Sequence, residues 1–213
     1  MCRSCLSWYG RRIAPYVVNA GCSANAFSRM RQRMVPLAKG VVVEVGFGSG
    51  LNLPYYDTAK VRRLVGVDPD GAMLAAAKRQ NHALPFELEC LQACGESIPL
   101  ADGFADTVVV AYAFCTIPRP GAALAEIRRI LKPGGRLIFL EHGQANAGWR
   151  RRLQDRSNRL WGVLAGGCNL NRNPFQLVAS ARFDVRDALQ EGFPPAFWLL
   201  GSHYAGVAIR QPD

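Results

Sequence analysis

The sequence predicts an α/β protein, a mostly parallel sheet with helices on both faces. Three observations carry that reading. The run Val41-Val-Val-Glu-Val45 is apolar and β-branched, as a buried strand requires, and it leads straight into glycines at 46, 48 and 50. A second apolar run, Arg63 to Val67, ends in Asp68-Pro69. Strand-like and helix-like segments then alternate as far as His142, which is the signature of βαβ units.

Taken in order, residues 1–39 read as a helical cap segment, broken by Pro15 and Gly21. Between Asn25 and Leu37, the residues Phe27, Met30, Met34 and Leu37 form one apolar stripe. Pro36 should end the regular helix near Val35. This piece is expected either across the ligand-side edge of the sheet or as a plain cap. Residues 40–213 form the main domain, with an insert at about 143–182.

Strand one is followed by the glycine loop, where bare backbone lets a ligand approach closely. A dinucleotide fingerprint needs a small residue at 51, and this chain has Leu51. A short helix is expected over Leu51–Tyr56, because Pro54 suits only a first turn. That would put a helix N-terminus beside the ligand. Asp68 lies roughly 20 residues past the first glycine, the offset at which a carboxylate meets a ribose. Its alternative is to cap a helix over Gly71–Gln80.

Strands are further expected at about Phe86–Leu91, Thr107–Ala111 and Arg136–Glu141, with a helix over Ala122–Leu131 stopped by Lys132-Pro-Gly-Gly135. Two last strands, near Phe183–Leu189 and Tyr204–Arg210, should close the sheet as an antiparallel hairpin.

With 213 residues and a net charge of +10, the chain can bury a proper core and is basic through dispersed arginines. No aromatic-interleaved RNA-binding motif accompanies them, so nucleic acid is not an expected partner. An anionic membrane surface stays open, with Trp149, Trp161, Phe197 and Trp198 as docking aromatics. No segment has the roughly 20 apolar residues of a membrane span, and no cleaved leader is expected. Seven scattered cysteines suit a reduced, cytoplasmic chain. Cys2-x-x-Cys5 lacks the second pair that a structural zinc wants, so no metal is expected. The sequence sets no oligomeric state.

Four separated segments agree in order and spacing: Glu44 with its glycines, Asp68, Gly95-Glu96…Asp106, and Leu131-Lys-Pro-Gly-Gly-Arg136. Together they resemble the class I S-adenosylmethionine-dependent methyltransferases. Cys94-Gly95-Glu96, Phe114-Cys115-Thr116, Glu141-His142 and Gly167-Cys168-Asn-Leu-Asn-Arg172 bring the chain nearest the methyltransferase-like seven group of thiol S-methyltransferases and its bacterial relatives. The resemblance implies a Rossmann-like, seven-stranded sheet of order 3-2-1-4-5-7-6 and S-adenosylmethionine as cofactor, with S-adenosylhomocysteine as product. The membrane-anchoring N-terminal helix of the animal thiol enzymes is not seen, so a soluble or peripherally bound chain is expected.

The implied cofactor contacts are Glu44, Gly46, Phe47, Gly48, Gly50, Asp68, Pro69, Met73, Gly95, Glu96, Ala111 and Tyr112. Cys94-Gly95 stands where many quinone-type members have Asp-Ala, so the Gly95 backbone is expected to serve there. The acceptor is a small molecule, a thiol first and a phospholipid amine or quinone phenol second. Cys115, Thr116, Cys168, Asn169 and Arg172 are its expected walls. Arg172 would bind an anionic group or cap a helix. His142, closing strand five, is the candidate base, or else a strand-end histidine held by backbone. Asp68 is a second base candidate beside its ribose role. His82 is expected to be exposed and His203 structural.

Overall fold

A computed structural model describes Tyr9, residues 13–80 and residues 84–211. His82, Cys2 and Cys5 lie outside the described residues. The strands are β1 (Gly40–Val45), β2 (Val61–Asp68), β3 (Glu87–Gln92), β4 (Ala105–Ala111), β5 (Leu131–Gly143), β6 (Phe183–Gly192) and β7 (Ser202–Arg210). They form one sheet of order β3-β2-β1-β4-β5-β7-β6. Neighbours from β3 to β5 run parallel, while β7 is antiparallel to both β5 and β6.

The valine run is buried on both sides, and the period of two in a strand assigns its residues to opposite layers. Val42 points to the face covered by Phe27, Met30 and Met34, together with Leu64, Val109 and Ile138. Val43 and Val45 point to the other face, against Leu124, Ile127 and Ile130. The first layer is α1 (Ala14–Cys22) and α2 (Asn25–Met34), and the second includes α4 (Pro120–Ile130) and α6 (Pro174–Ser180). The remaining helices are α3 (Gly71–Lys78) and α5 (Gly148–Leu164).

Several local expectations are corrected. Pro15 and Gly21 stand just inside the two ends of one helical piece. Both lie within α1, where Pro15 occupies the first turn and costs no intrahelical bond. Pro36 ends α2 as expected, in a 3-10 turn over Val35–Leu37, but Leu37 turns outward and is exposed. No α-helix follows the glycines: a 3-10 turn over Leu53–Tyr55 carries Pro54, and the Asn52 side chain before it bonds Glu44 instead. Asp70, not Asp68, caps α3, accepting from the amides of Ala72 at 3.0 Å and Met73 at 3.4 Å.

Asp106 ties four elements together at the far end of the sheet. It accepts from the Val41 amide at 2.8 Å, from Lys132 at 2.6 Å and from Arg62 at 3.3 Å. The closing hairpin is as expected at Phe183 and Arg210 but runs longer beside its connection, to Gly192 and from Ser202, and a 3-10 segment over Pro195–Leu200 joins it. Among the described residues, no helix is long and apolar enough to cross a membrane.

Candidate active site

The carboxyl ends of β1, β2 and β4 open onto a cavity of about 510 Å³, within the size range of small-molecule sites. β1 feeds its floor through the glycine loop. Gly46 has φ of +80°, and a Cβ there would stand 2.3 Å from the Ala113 Cβ, so only glycine brings these two strand ends together. Across the sheet, Gly66 leaves room for the Phe47 ring, which a Cβ would meet at 2.4 Å.

Asp68 clamps the loop to β2. One carboxylate oxygen accepts from the Gly48 amide at 2.9 Å and the other from the Asp70 amide at 2.8 Å. A carboxylate oxygen can accept more than one hydrogen bond, so this clamp is compatible with a ligand beside it.

Beneath the loop lies a buried polar chain that crosses from α2 to β1. Arg31 donates to the Cys22 carbonyl at 2.7 Å and to Asn52 Oδ1 at 2.9 Å. Asn52 donates to Glu44 Oε1 at 2.8 Å, and the Tyr56 hydroxyl to Glu44 Oε2 at 2.5 Å. Burial raises the Glu44 carboxyl to about 7, although both hydrogen bonds and Arg31 pull it down. The Arg31 guanidinium also sits over the Tyr112 ring, 5.1 Å from its centroid.

Tyr112 leaves β4 with φ of +54°, an uncommon conformation for a bulky side chain. It is held there by an edge-on contact with Phe27 and by His203 Nδ1, 3.1 Å from its hydroxyl oxygen. His203 stacks on Phe193, and burial lowers it to about 4, so it stays neutral.

Of the residues singled out in the sequence, Glu44, Gly46, Phe47, Gly48, Asp68, Pro69, Met73, Gly95, Glu96, Ala111 and Tyr112 all line the cavity, as do Thr116 and Asn169. Gly50 does not. It lies under Leu53 and Ala77. Cys115, His142, Cys168 and Arg172 are behind the wall rather than in it. His142 Nε2 is 3.1 Å from Cys168 Sγ, and both residues are buried. Burial would lower the His142 imidazole, but the Cys115 thiol and Glu141 beside it raise it overall. Arg172 turns inward to donate to the carbonyls of Phe114 and Ile117, so it neither faces an anionic ligand nor caps a helix.

The sequence reading missed Asn19, Cys22, Arg31, Ser49, Asn52 and Gly167 among the lining residues, and Tyr56 beneath them. A polar residue on the buried stripe side of α2 was the one available sign of Arg31.

The parallel sheet with its reversed last hairpin and a glycine-cradled cavity at the strand ends define an S-adenosylmethionine-dependent methyltransferase of class I. Residues 43–139 match the methyltransferase domain family. Human thiol S-methyltransferase TMT1A is 29% identical over 97% of this chain and 87% of its own length. Its human counterpart TMT1B is 30% identical over 86% of this chain and 76% of its own. The chain is also similar to phosphatidylethanolamine N-methyltransferase of Cereibacter sphaeroides, at 28% identity over 62% of this chain and 65% of that protein. Among solved structures, an S-adenosylmethionine-dependent methyltransferase from Mesorhizobium loti superimposes with a TM-score of 0.67 at 15% identity, over 89% of this chain and all of that one. The chain belongs to the class I methyltransferases, close to the thiol S-methyltransferase group.

The cavity suits the cofactor of that family. Bare backbone at Gly46 and Gly48 leaves space beside a carboxylate at the end of β2, and Met73 and Pro69 supply an apolar wall next to it.

Proposed function

We propose that this chain transfers a methyl group from S-adenosylmethionine to a small thiol. Gly46–Gly48 receive the methionine part, Asp68 takes the ribose hydroxyls, and Met73 with Gly95 and Glu96 flanks the adenine. Ala111 and Tyr112 cover the methionine amino group, close to Glu44. The acceptor enters past α1 and the loop after α5, between Thr116 and Asn169.

The cofactor supplies an activated methyl on a sulfonium, so the protein's task is alignment and exclusion of water. One observation supports a thiol above other nucleophiles. Among the described residues, no histidine or lysine lines the cavity. Its carboxylates are engaged: Asp68 and Asp70 by backbone amides, Glu96 by the Arg119 amide, and Glu44 by Asn52 and Tyr56. A thiol, with a pKa of about 8.5, is already partly ionised at neutral pH, whereas a phenol or ammonium, at about 10, needs a base at hand. In this reading Asp68 is not the base, and His142 acts only through Cys168 behind the wall.

The test is release of S-adenosylhomocysteine with an alkyl thiol, a catechol, a quinol and phosphatidylethanolamine vesicles. Turnover with the thiol and not the others is the expected result; turnover only with quinol or vesicles overturns it.

A second reading, a lipid-like acceptor, is favoured by the outer surface of α5. Trp149, Leu153, Leu160, Val163 and Leu164 form an exposed apolar stripe there, flanked by exposed Arg150, Arg151, Arg152, Arg156 and Arg159. α1 adds exposed Tyr16 and Val17, and its Ala14, Pro15 and Val18 line the cavity. That is the composition of a helix lying in a membrane interface beside the entrance. Trp198 joins this surface, 6.1 Å from Trp149. Trp161 and Phe197 pack inward against the core and cannot serve as docking aromatics.

A further inference from the structure

Behind the cavity wall, three chain segments that are distant in sequence converge. Cys115 lies in the turn after β4, His142 is the next-to-last residue of β5, and Cys168 lies between α5 and α6. All three are buried, at 4%, 5% and 6% exposure. Their donor atoms, two Sγ and one imidazole nitrogen, all fall within 4.8 Å of one another. His142 Nε2 lies 3.1 Å from Cys168 Sγ.

A hydrogen-bonded thiol cluster would account for that one contact, but Glu141 adds a second observation. Its Oε1 accepts the amides of Ala113 and Phe114 at 2.7 and 2.8 Å, while its Oε2 is buried with no hydrogen-bond partner. An unsatisfied carboxylate oxygen is costly in an apolar interior unless a cation is near, and Glu141 lies close enough to Cys115 for the two to interact electrostatically.

Two thiolates and an imidazole form a donor set that favours zinc over calcium or magnesium, which prefer oxygen. Zinc–sulfur bonds of about 2.3 Å and zinc–nitrogen bonds of about 2.0 Å in a tetrahedral arrangement put donors roughly 3.5–3.8 Å apart. Reaching that spacing from separations of 4.8 Å or less takes movement of about an ångström.

We propose that Cys115, His142 and Cys168 hold a zinc ion. Loading exchanges two thiol protons for one Zn²⁺, and both protons leave to solvent. The bound ion with its two thiolates is then neutral, which suits burial. Three protein donors leave a fourth position for water or a ligand. Thr116 on one side and Gly167 and Asn169 on the other are the cavity-lining neighbours of the two cysteines. The ion would therefore brace the wall against which the acceptor packs. The site stands whether or not the acceptor is a thiol.

The experiment is metal content by plasma mass spectrometry on the full chain purified under reducing conditions. Near one zinc per chain is expected, retained in Cys90→Ser and lost in Cys115→Ser and Cys168→Ser. Cys90 serves as control because it lies on β3, away from the cluster. Should those variants fail to fold, cobalt loading of the wild-type chain decides: intense thiolate-to-cobalt charge transfer and release of about two protons per ion are expected. A chain that takes up neither metal, or keeps its zinc in both folded serine variants, overturns the site. None of these readouts needs turnover, so failure of the thiol assay leaves them intact.

Discussion

The Tyr56 hydroxyl reaches Glu44 at 2.5 Å, and with Asn52 it holds the one carboxylate of β1, buried at the floor of the cavity. Burial raises this carboxyl from an ordinary 4.5 to about 7. A carboxyl that binds its proton more tightly in the folded state gives full stability below the unfolded value and loses it as pH rises through the folded one. The window is therefore pH 4.5–7, and the loss is about 3 kcal/mol at 1.36 kcal/mol per pH unit. Glu44→Gln keeps an acceptor for Asn52 and removes the titration. Urea unfolding from pH 5 to 8 should show a declining stability in the wild type that the variant lacks. Parallel curves would mean that Glu44 remains ionised throughout.

Asp68 should matter to the cofactor more than to the fold. Asp68→Ala removes the acceptor proposed for the ribose and the clamp on Gly48 and Asp70. Calorimetry with S-adenosylhomocysteine should show affinity weaker by about 1.5–3 kcal/mol, the range for hydrogen bonds to a charged group. An unchanged dissociation constant would remove Asp68 from the cofactor site.

Arg31 tests the buried chain from its other end. Arg31→Ala leaves the Cys22 carbonyl and Asn52 without a donor, at roughly 1–3 kcal/mol for each group, so a loss of about 2–6 kcal/mol is expected. It also uncovers the Tyr112 ring. Denaturant melts check the magnitude; a change below about 1 kcal/mol would mean that water replaces the guanidinium.

The sheet was legible in the sequence because its cause is local. Runs such as Val41–Val45 and Thr107–Ala111 are too apolar and too β-branched to lie anywhere but in a strand buried on both faces. Gly46 and Asp68 were legible because their conformational freedom and charge are unusual at a strand end. The buried chain was not, since nothing in the neighbourhood of Arg31 marks it as the partner of an asparagine 21 residues away. His142 was found as a residue but not in its setting. At a strand end, one residue of register decides which face a side chain takes, and the loop bearing Cys168 covers it from outside the cavity.

The exposed stripe on α5 gives the lipid reading its own test. Leu160 and Val163 are 66% and 62% exposed and make no part of the cavity, so charging them should leave S-adenosylhomocysteine binding unchanged. If the stripe enters an interface, Leu160→Asp with Val163→Asp should cut sedimentation with vesicles rich in phosphatidylglycerol by tenfold or more. The arginines beside it add a contribution on the order of 1 kcal/mol each near an anionic surface, which salt screens within a Debye length of about 10 Å at 0.1 M. Wild-type binding should therefore fall as salt is raised, while the residual affinity of the apolar stripe persists. A wild-type chain that stays in the supernatant at low salt would leave the acceptor to reach the cavity from water, and the thiol reading would stand alone.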